Sequence, residues 1–348
     1  MPNKANKMVL AYAGGDYCVI TEEQAHMITH VNVAFGLIPE DLSIRVDHIK
    51  LLRDGSLKQL KQWNPDIKII LSLVSCEYNT WSKGVSTEEG RALLAENCAK
   101  VCEEYDFDGV DFDWEYPCVP SNGMASSPDD KHNFTLMLKA VRERLDQIPG
   151  GRYYYNTIAA GADVYYCENV EMDEIVKYLD WINIMTYDLK CGFHALAGHH
   201  TNLYASVGDY FRNSCDQAMR LFHSYGVPKD KLLMGAGFYS RKWENVQNVN
   251  NGFLQWTKNG GGYGPDYGIL VEEYIDKNGY VRYWDDVAKA PWLYNAKEGV
   301  FLSYDDPDSI AAKCEYIMDN DYAGIFYWEH KCDPTGALLS TIQNTFNK

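Results

Sequence analysis

The sequence predicts a (β/α)8 TIM barrel interrupted by a small α+β insertion between strand 7 and strand 8. Three observations lead there. Eight short β-rich runs recur along the 348 residues with helical segments between them, the rhythm of parallel strands joined by helical crossovers. The runs are continuously apolar rather than strictly alternating, as in parallel strands covered on both sides. The interval between the last two runs is anomalous, about twice the others, and it is rich in turn signals.

The elements follow in order. Met8–Ala13 (MVLAYA) is the first strand, Thr21–Met27 reads as a helix, and His30–Leu37 and Lys68–Val74 are the second and third strands. Ser86 and Glu89 form an S-x-x-E capping box at the start of the next helix. Leu94, Cys98, Val101, Cys102 and Tyr105 share one face of that helix. Phe107–Glu115 is the fourth strand. A long helix after Pro128 puts Leu136, Leu138, Val141 and Leu145 on its apolar side. Tyr153–Ala159, Trp181–Thr186, Lys231–Gly237 and Gly324–Trp328 complete the eight strands. Residues 241–299 carry GGGYG, NNG and DKNGY and the β-like run YVRYW; they form the insertion on the C-terminal rim, and residues 1–240 and 300–348 form the barrel. A unit of that size needs support from the barrel beneath it.

Composition narrows the function classes. Lys plus Arg is 32 and Asp plus Glu is 49, giving a charge of −17, with no basic stripe; nucleic acid is not an expected partner. No run approaches the length of a membrane span, and Met8–Ala13 is too short for a signal-peptide core, so the sequence assigns no compartment. A monomer is expected. The ten cysteines form no CxxC and no zinc-finger spacing, and Cys98 and Cys102 read as small core residues. Scattered thiols of this kind suggest a reducing environment. The unusual number is aromatic: 26 Tyr, 12 Phe and 9 Trp, which suits core packing and stacking on sugar rings alike.

The most informative stretch is Asp108-Gly-Val-Asp111-Phe-Asp113-Trp-Glu115-Tyr-Pro117. Residues two apart in a strand share a face, so Asp111, Asp113 and Glu115 point one way and Phe112 and Trp114 the other. Asp108 is out of phase and reads as structural. Like charges at that spacing raise one another's pKa, so some of the three hold protons near neutral pH. Glu115 stands at the C-terminal end of its strand, where barrel active sites lie. A protonated Glu there is a general acid. Three readings remain open on these residues alone: a hydrogen-bonded acidic network, a divalent-metal site, and acid-catalysed glycoside hydrolysis.

DGVDFDWEYP resembles the D-x-x-D-x-D-x-E signature of family 18 glycoside hydrolases in its chitinase form. The resemblance extends over nearly the whole chain. MVLAYAGG and HVNVAFGL resemble the family's first two strands, with Tyr12 and Phe35 at aromatic positions near the cleaved sugar. Met185-Thr-Tyr187-Asp188 matches M-x-Y-D, and KLLMGAGFYSR resembles the seventh strand with its F-Y-G-R ending, Ser240 standing for Gly. GYVRYWDDVAKAPWLYN and VFLSYDDPDS resemble the end of the insertion and the helix start after it. GIFYWEHKCD resembles the eighth strand, with Trp328 as floor tryptophan.

The resemblance implies that Glu115 protonates the glycosidic oxygen, that Asp113 holds the substrate acetamido N–H, that Asp111 shares a proton with Asp113, and that Tyr187 donates to the acetamido oxygen. Met185 and Asp188 would shape the same pocket. Tyr12, Phe35, Phe193, Tyr239, Arg241 and Trp328 are the further substrate contacts, with Trp292 a weaker candidate. No metal or other cofactor is implied, and His199-His200 reads as a solvated loop pair. The substrate implied is chitin or chito-oligosaccharides, for which extracellular action is expected. A chitinase-like lectin and an endo-N-acetylglucosaminidase acting on N-glycan or peptidoglycan are the alternatives. Two departures fall on the leaving-group side. The family's S-x-G-G-W reads Ser72-Leu-Val-Ser-Cys76 here, with Tyr78 as a possible substitute, and Phe193 stands where the family often has Trp.

Overall fold

The computed structural model describes residues 3–121 and 123–348; Met1 and Pro2, at the start of the expected barrel segment, and Asn122 lie outside the described residues. Eight parallel strands close into a barrel: β1 (Met8–Gly14), β2 (His30–Ile38), β3 (Lys68–Ser75), β4 (Gly109–Phe112), β5 (Tyr155–Gly161), β6 (Ile182–Met185), β7 (Leu232–Gly237) and, after the insertion, β13 (Gly324–Trp328). Each expected strand is present. β4 ends at Phe112, so Asp113 and Glu115 continue its direction beyond the last paired residue.

Alternation divides the strand residues between two packed regions. Inward-facing Leu10, Tyr12, Ile70, Trp181, Leu233 and Phe326 fill the barrel, while outward-facing Val9, Ile69, Phe112 and Ile325 pack under the helices. Phe112 and Trp114 do face outward, where Trp114 stacks on Trp81 with centroids 5.6 Å apart. Asp108 is structural, accepting from the Ile69 amide at 2.7 Å and pairing with Arg152 at 2.5 Å.

The helices differ from expectation at their edges. In the helix Glu88–Tyr105 the cap is Thr87, whose hydroxyl accepts from the Gly90 amide, and Ser86 turns back to donate to the Lys83 carbonyl at 2.7 Å. Leu94, Cys98, Val101 and Cys102 are buried, but Tyr105, the last residue of the helix, is exposed. In the helix Asp130–Leu145 the buried face is Phe134, Met137, Leu138, Val141 and Leu145; Leu136 sits half-buried beside it. All ten cysteines are free, and only Cys76 is exposed.

The insertion is a five-stranded antiparallel sheet of β8 (Tyr239–Trp243), β9 (Gly262–Asp266), β10 (Tyr280–Asp285), β11 (Ala290–Asn295) and β12 (Val300–Ser303), in the order β10-β11-β12-β8-β9. It therefore begins before residue 241 and ends after residue 299, and Tyr239 and Arg241 lie on its β8. Trp292 does not reach the cleft. It is buried in the insertion's own core, stacked on Tyr283 at 5.3 Å and packed with Trp243, Phe253 and Phe301. Leu293 and Leu302 pack into the barrel's outer core, which ties the two units together. Beneath the junction, Lys313 and Asp305 form a wholly buried ion pair at 2.5 Å; Asp305 also accepts from the Thr201 hydroxyl at 3.0 Å and the Gly237 amide at 3.3 Å.

Candidate active site

At the C-terminal mouth of the barrel the acidic residues on and just after β4 meet side chains from β1, β3, β5 and β6. Asp111 is buried and accepts four hydrogen bonds: from Thr157 Oγ1 at 2.7 Å, Tyr12 Oη at 2.8 Å, Ser72 Oγ at 2.8 Å and Asn183 Nδ2 at 3.1 Å. Burial pushes its carboxyl up and these donors pull it back. Asp113 has no such support. Its Oδ1 is enclosed and without a partner, and burial, then Glu115, then Asp111 push its carboxyl well up. Glu115 is half-buried; burial first and the Asp188 charge second raise its carboxyl. The trio is thus graded: burial raises all three carboxyls, with four donors opposing the rise at Asp111 and none at Asp113.

Tyr187 stands across the mouth, half-buried, edge-on to Phe326 at 5.9 Å and Tyr239 at 6.1 Å. Burial and the charges of Asp113 and Glu115 push its phenol well up, so it remains a hydrogen-bond donor. Asp188, in a left-handed conformation at φ 57°, accepts from Tyr239 Oη and from Arg241 Nε, each at 2.6 Å, and from Arg241 Nη2. Burial opposes its charge, but the neighbouring His200 and the clamping Arg241 guanidinium more than offset that and hold its carboxyl well below the usual range. Trp328 forms the floor, stacked on Phe35 at 5.4 Å and 21° and packed on Tyr12 at 5.7 Å; Met185 is part of the same cluster. The peptide bonds Ala34–Phe35, Glu115–Tyr116 and Trp328–Glu329 are cis.

The mouth thus gathers Asp111, Asp113, Glu115, Tyr187, Met185, Asp188, Tyr239, Arg241, Phe35 and Trp328. Tyr12 lies beneath them: it is 2% exposed, and its hydroxyl is committed to Asp111. Phe193 is 96% exposed, out in solvent on the loop after β6 and separate from the packed floor. Tyr78 is likewise exposed, on the loop after β3. Several residues of the site carry no sequence signal. Thr157 and Asn183 are ordinary strand residues, and Ser72 stands out only as the first residue of a motif; their common target, Asp111, appears only when the barrel closes. A cavity of about 140 Å³ beside the acids is lined by Val74, Ser75, Trp81, Asp113, Glu115 and Met124.

The two histidines are a correction. His199 and His200 are buried, not solvated. His199 packs between Phe253 and Trp292. The His200 ring lies 5.2 Å from that of Tyr239, and its Nδ1 accepts from the Asp188 amide at 3.4 Å. Burial holds the His200 imidazole neutral. Among the described residues, no group of three or more His, Cys, Asp or Glu side chains is placed to hold a metal ion, and no helix is long and apolar enough to cross a membrane.

Comparison with known proteins puts this geometry in context. The family described as Glycosyl hydrolases family 18 matches residues 8–333. Chitinase A1 of Niallia circulans is 37% identical over 306 residues, covering 83% of this chain and 44% of its own length. Chitinase B of Serratia marcescens is 29% identical over 94% of this chain and 78% of its own length. Thus the chain spans less than half of the first relative and about three-quarters of the second. Among solved structures, a family 18 N-acetylglucosaminidase from Paenibacillus barengoltzii is 46% identical, with a TM-score of 0.93, over 98% of this chain and all of that one. Chitinase ChiW from Paenibacillus sp. str. FPU-7 is 34% identical, with a TM-score of 0.89, over 98% of this chain and 33% of that one.

Proposed function

The chain belongs to glycosyl hydrolases family 18, and on that premise we propose that it cleaves β-1,4 bonds between N-acetylglucosamine units of chitin or chito-oligosaccharides, with retention of configuration. One observation carries the reading: a carboxyl raised by burial, Glu115, stands beside Asp113, whose Oδ1 is enclosed and unpartnered. An acid and an unsatisfied acceptor so placed suit a substrate that offers a glycosidic oxygen and an amide N–H together.

In this mechanism Glu115 gives its proton to the glycosidic oxygen as the bond to the anomeric carbon breaks. The substrate's own acetamido oxygen bonds to that carbon and forms an oxazolinium ion, the substrate-assisted course in which no enzyme carboxylate acts as nucleophile. Asp113 Oδ1 accepts the acetamido N–H, and as the proton it shares with Asp111 moves to Asp111 its carboxylate stabilises the positive charge developing on the sugar; a protonated Asp111 turns one of its hydroxyl partners, Tyr12, Ser72 or Thr157, from donor to acceptor. Tyr187 donates to the acetamido oxygen. Each hydrogen bond that strengthens in the transition state contributes roughly 2–4 kcal/mol. Water then adds to the anomeric carbon, gives its proton to Glu115, and reopens the ring. Removing the acid, Glu115→Gln, is expected to lower kcat on chitotetraose by about 10²–10⁴; equal activity in that variant would sink the assignment.

A second reading is favoured by the 46% identical family 18 N-acetylglucosaminidase: release of single N-acetylglucosamine units. Product sizes separate the two. Early release of monomer alone from chitohexaose supports the second; a spread of dimers, trimers and tetramers supports the first. A lectin role predicts binding without turnover.

A further inference from the structure

The glycine-rich run Gly260–Gly264 plays no part in the chemistry above, yet it shapes the rim beside it. It leads into β9, the edge strand of the insertion sheet, in which Tyr263 lies directly opposite Arg241 of β8. Three of its glycines are required by contact, Gly260 against the Gly192 carbonyl and two against β8. A Cβ on Gly261 would stand 2.3 Å from the Trp243 ring, and one on Gly264 would stand 2.4 Å from Ser240 Oγ. The strand is drawn tightly onto β8, and Tyr263 is the one side chain that projects from this stretch.

That side chain is placed firmly. Its ring covers the Arg241 guanidinium, with Cζ 3.7 Å from the centroid, and meets Tyr239 at 5.8 Å. Arg241 in turn clamps Asp188, so the ring rests on the wall of the catalytic mouth. Burial and the Asp188 charge raise its phenol, and Glu115 adds to the shift, as expected for a group within the field of the site. With one face on Arg241, Tyr263 is nevertheless 71% exposed; its other face is bare. A ring fixed on one side and open on the other offers an apolar platform at little entropic cost.

We propose that Tyr263 is a substrate-binding residue of this cleft, its free face stacking on a pyranose ring of the bound N-acetylated chain along the insertion wall. The proposal rests on the reading of the cleft given above. The competing role is a buttress for Arg241, which would act through Asp188 on Glu115 and not on the sugar.

The test is calorimetric titration of the inactive Glu115→Gln protein with chitotetraose. Adding Tyr263→Ala is expected to weaken binding by about five- to tenfold, and adding Tyr263→Phe to change it by less than about twofold, since the face and not the hydroxyl makes the contact. In the otherwise unaltered enzyme, Tyr263→Ala is expected to raise KM while leaving the alkaline limb of kcat in place. Unchanged binding in the Ala variant, equal losses in Ala and Phe, or a displaced alkaline limb overturns the proposal. Wild-type hydrolysis of chitotetraose is read separately: its absence, with the Ala and Phe difference intact, overturns the hydrolytic reading and leaves the platform. Absence of any binding overturns both.

Discussion

Asp111 and Asp113 are two residues apart on one strand, and their carboxylates are opposites: Asp111 takes four hydrogen bonds, whereas Asp113 Oδ1 has none. The same substitution is therefore expected to have opposite effects on stability. Asp111→Asn turns an amide donor toward four donors and should cost about 1–3 kcal/mol. Asp113→Asn removes a carboxyl that burial and its neighbours force toward the protonated form, and should stabilise by about 0.5–2 kcal/mol at pH 7. The Asp113 carboxyl is raised in the folded state, so its penalty is absent below the unfolded pKa, about 3.9, and grows as pH rises. The gain from Asn should then fade toward pH 4. Denaturant melts at pH 4 and pH 7 check both signs.

The alkaline limb of activity is expected to follow Glu115, which must be protonated to act. Its raised carboxyl carries activity above the ordinary Glu range, and the rate falls as pH rises through that value. The Asp188 charge contributes to the rise. Asp188→Asn removes it and leaves Arg241 as an uncompensated cation, so the limb should move to lower pH. A kcat profile that stays in place or moves to higher pH contradicts this coupling.

The Lys313–Asp305 pair is expected to be the most sensitive buried contact beneath the mouth. Both side chains are wholly enclosed, and Asp305 also holds Thr201 and the Gly237 amide. Lys313→Met strands the carboxylate and should cost about 3–5 kcal/mol, much of it recovered in Lys313→Met/Asp305→Asn, because the lone charge is then gone. Equilibrium unfolding of the single and double variants measures this.

Much of this was legible in the sequence, for a local reason. Strands announce themselves by short apolar runs, and the acidic motif places its carboxylates by period alone, so Asp111, Asp113 and Glu115 could be assigned to one face before any contact was known. What failed depends on distant chain segments. His199 and His200 look like a polar loop pair, but Phe253, Trp292, Tyr239 and Ser303 bury them. Trp292 has the look of a cleft aromatic and is core because β10 and β12 pair on either side of its strand. Tyr12 was expected against the sugar and lies under the floor, because Asp111 draws its hydroxyl inward.

The thiols give a simple check on the packing. Only Cys76 is exposed, with Cys118 and Cys191 partly so and the rest buried. In the native protein a thiol reagent should label about one cysteine rapidly, and Cys76→Ser should abolish that phase. Rapid labelling of many thiols would mean that the outer barrel layer opens readily.

The most direct measurement is the anomeric configuration of the first product from chitotetraose, followed by proton NMR before mutarotation. Participation of the acetamido group predicts that the newly formed reducing end is the β-anomer. An α-anomer as first product would mean direct attack by water, and would contradict the roles assigned here to Asp113 and Tyr187.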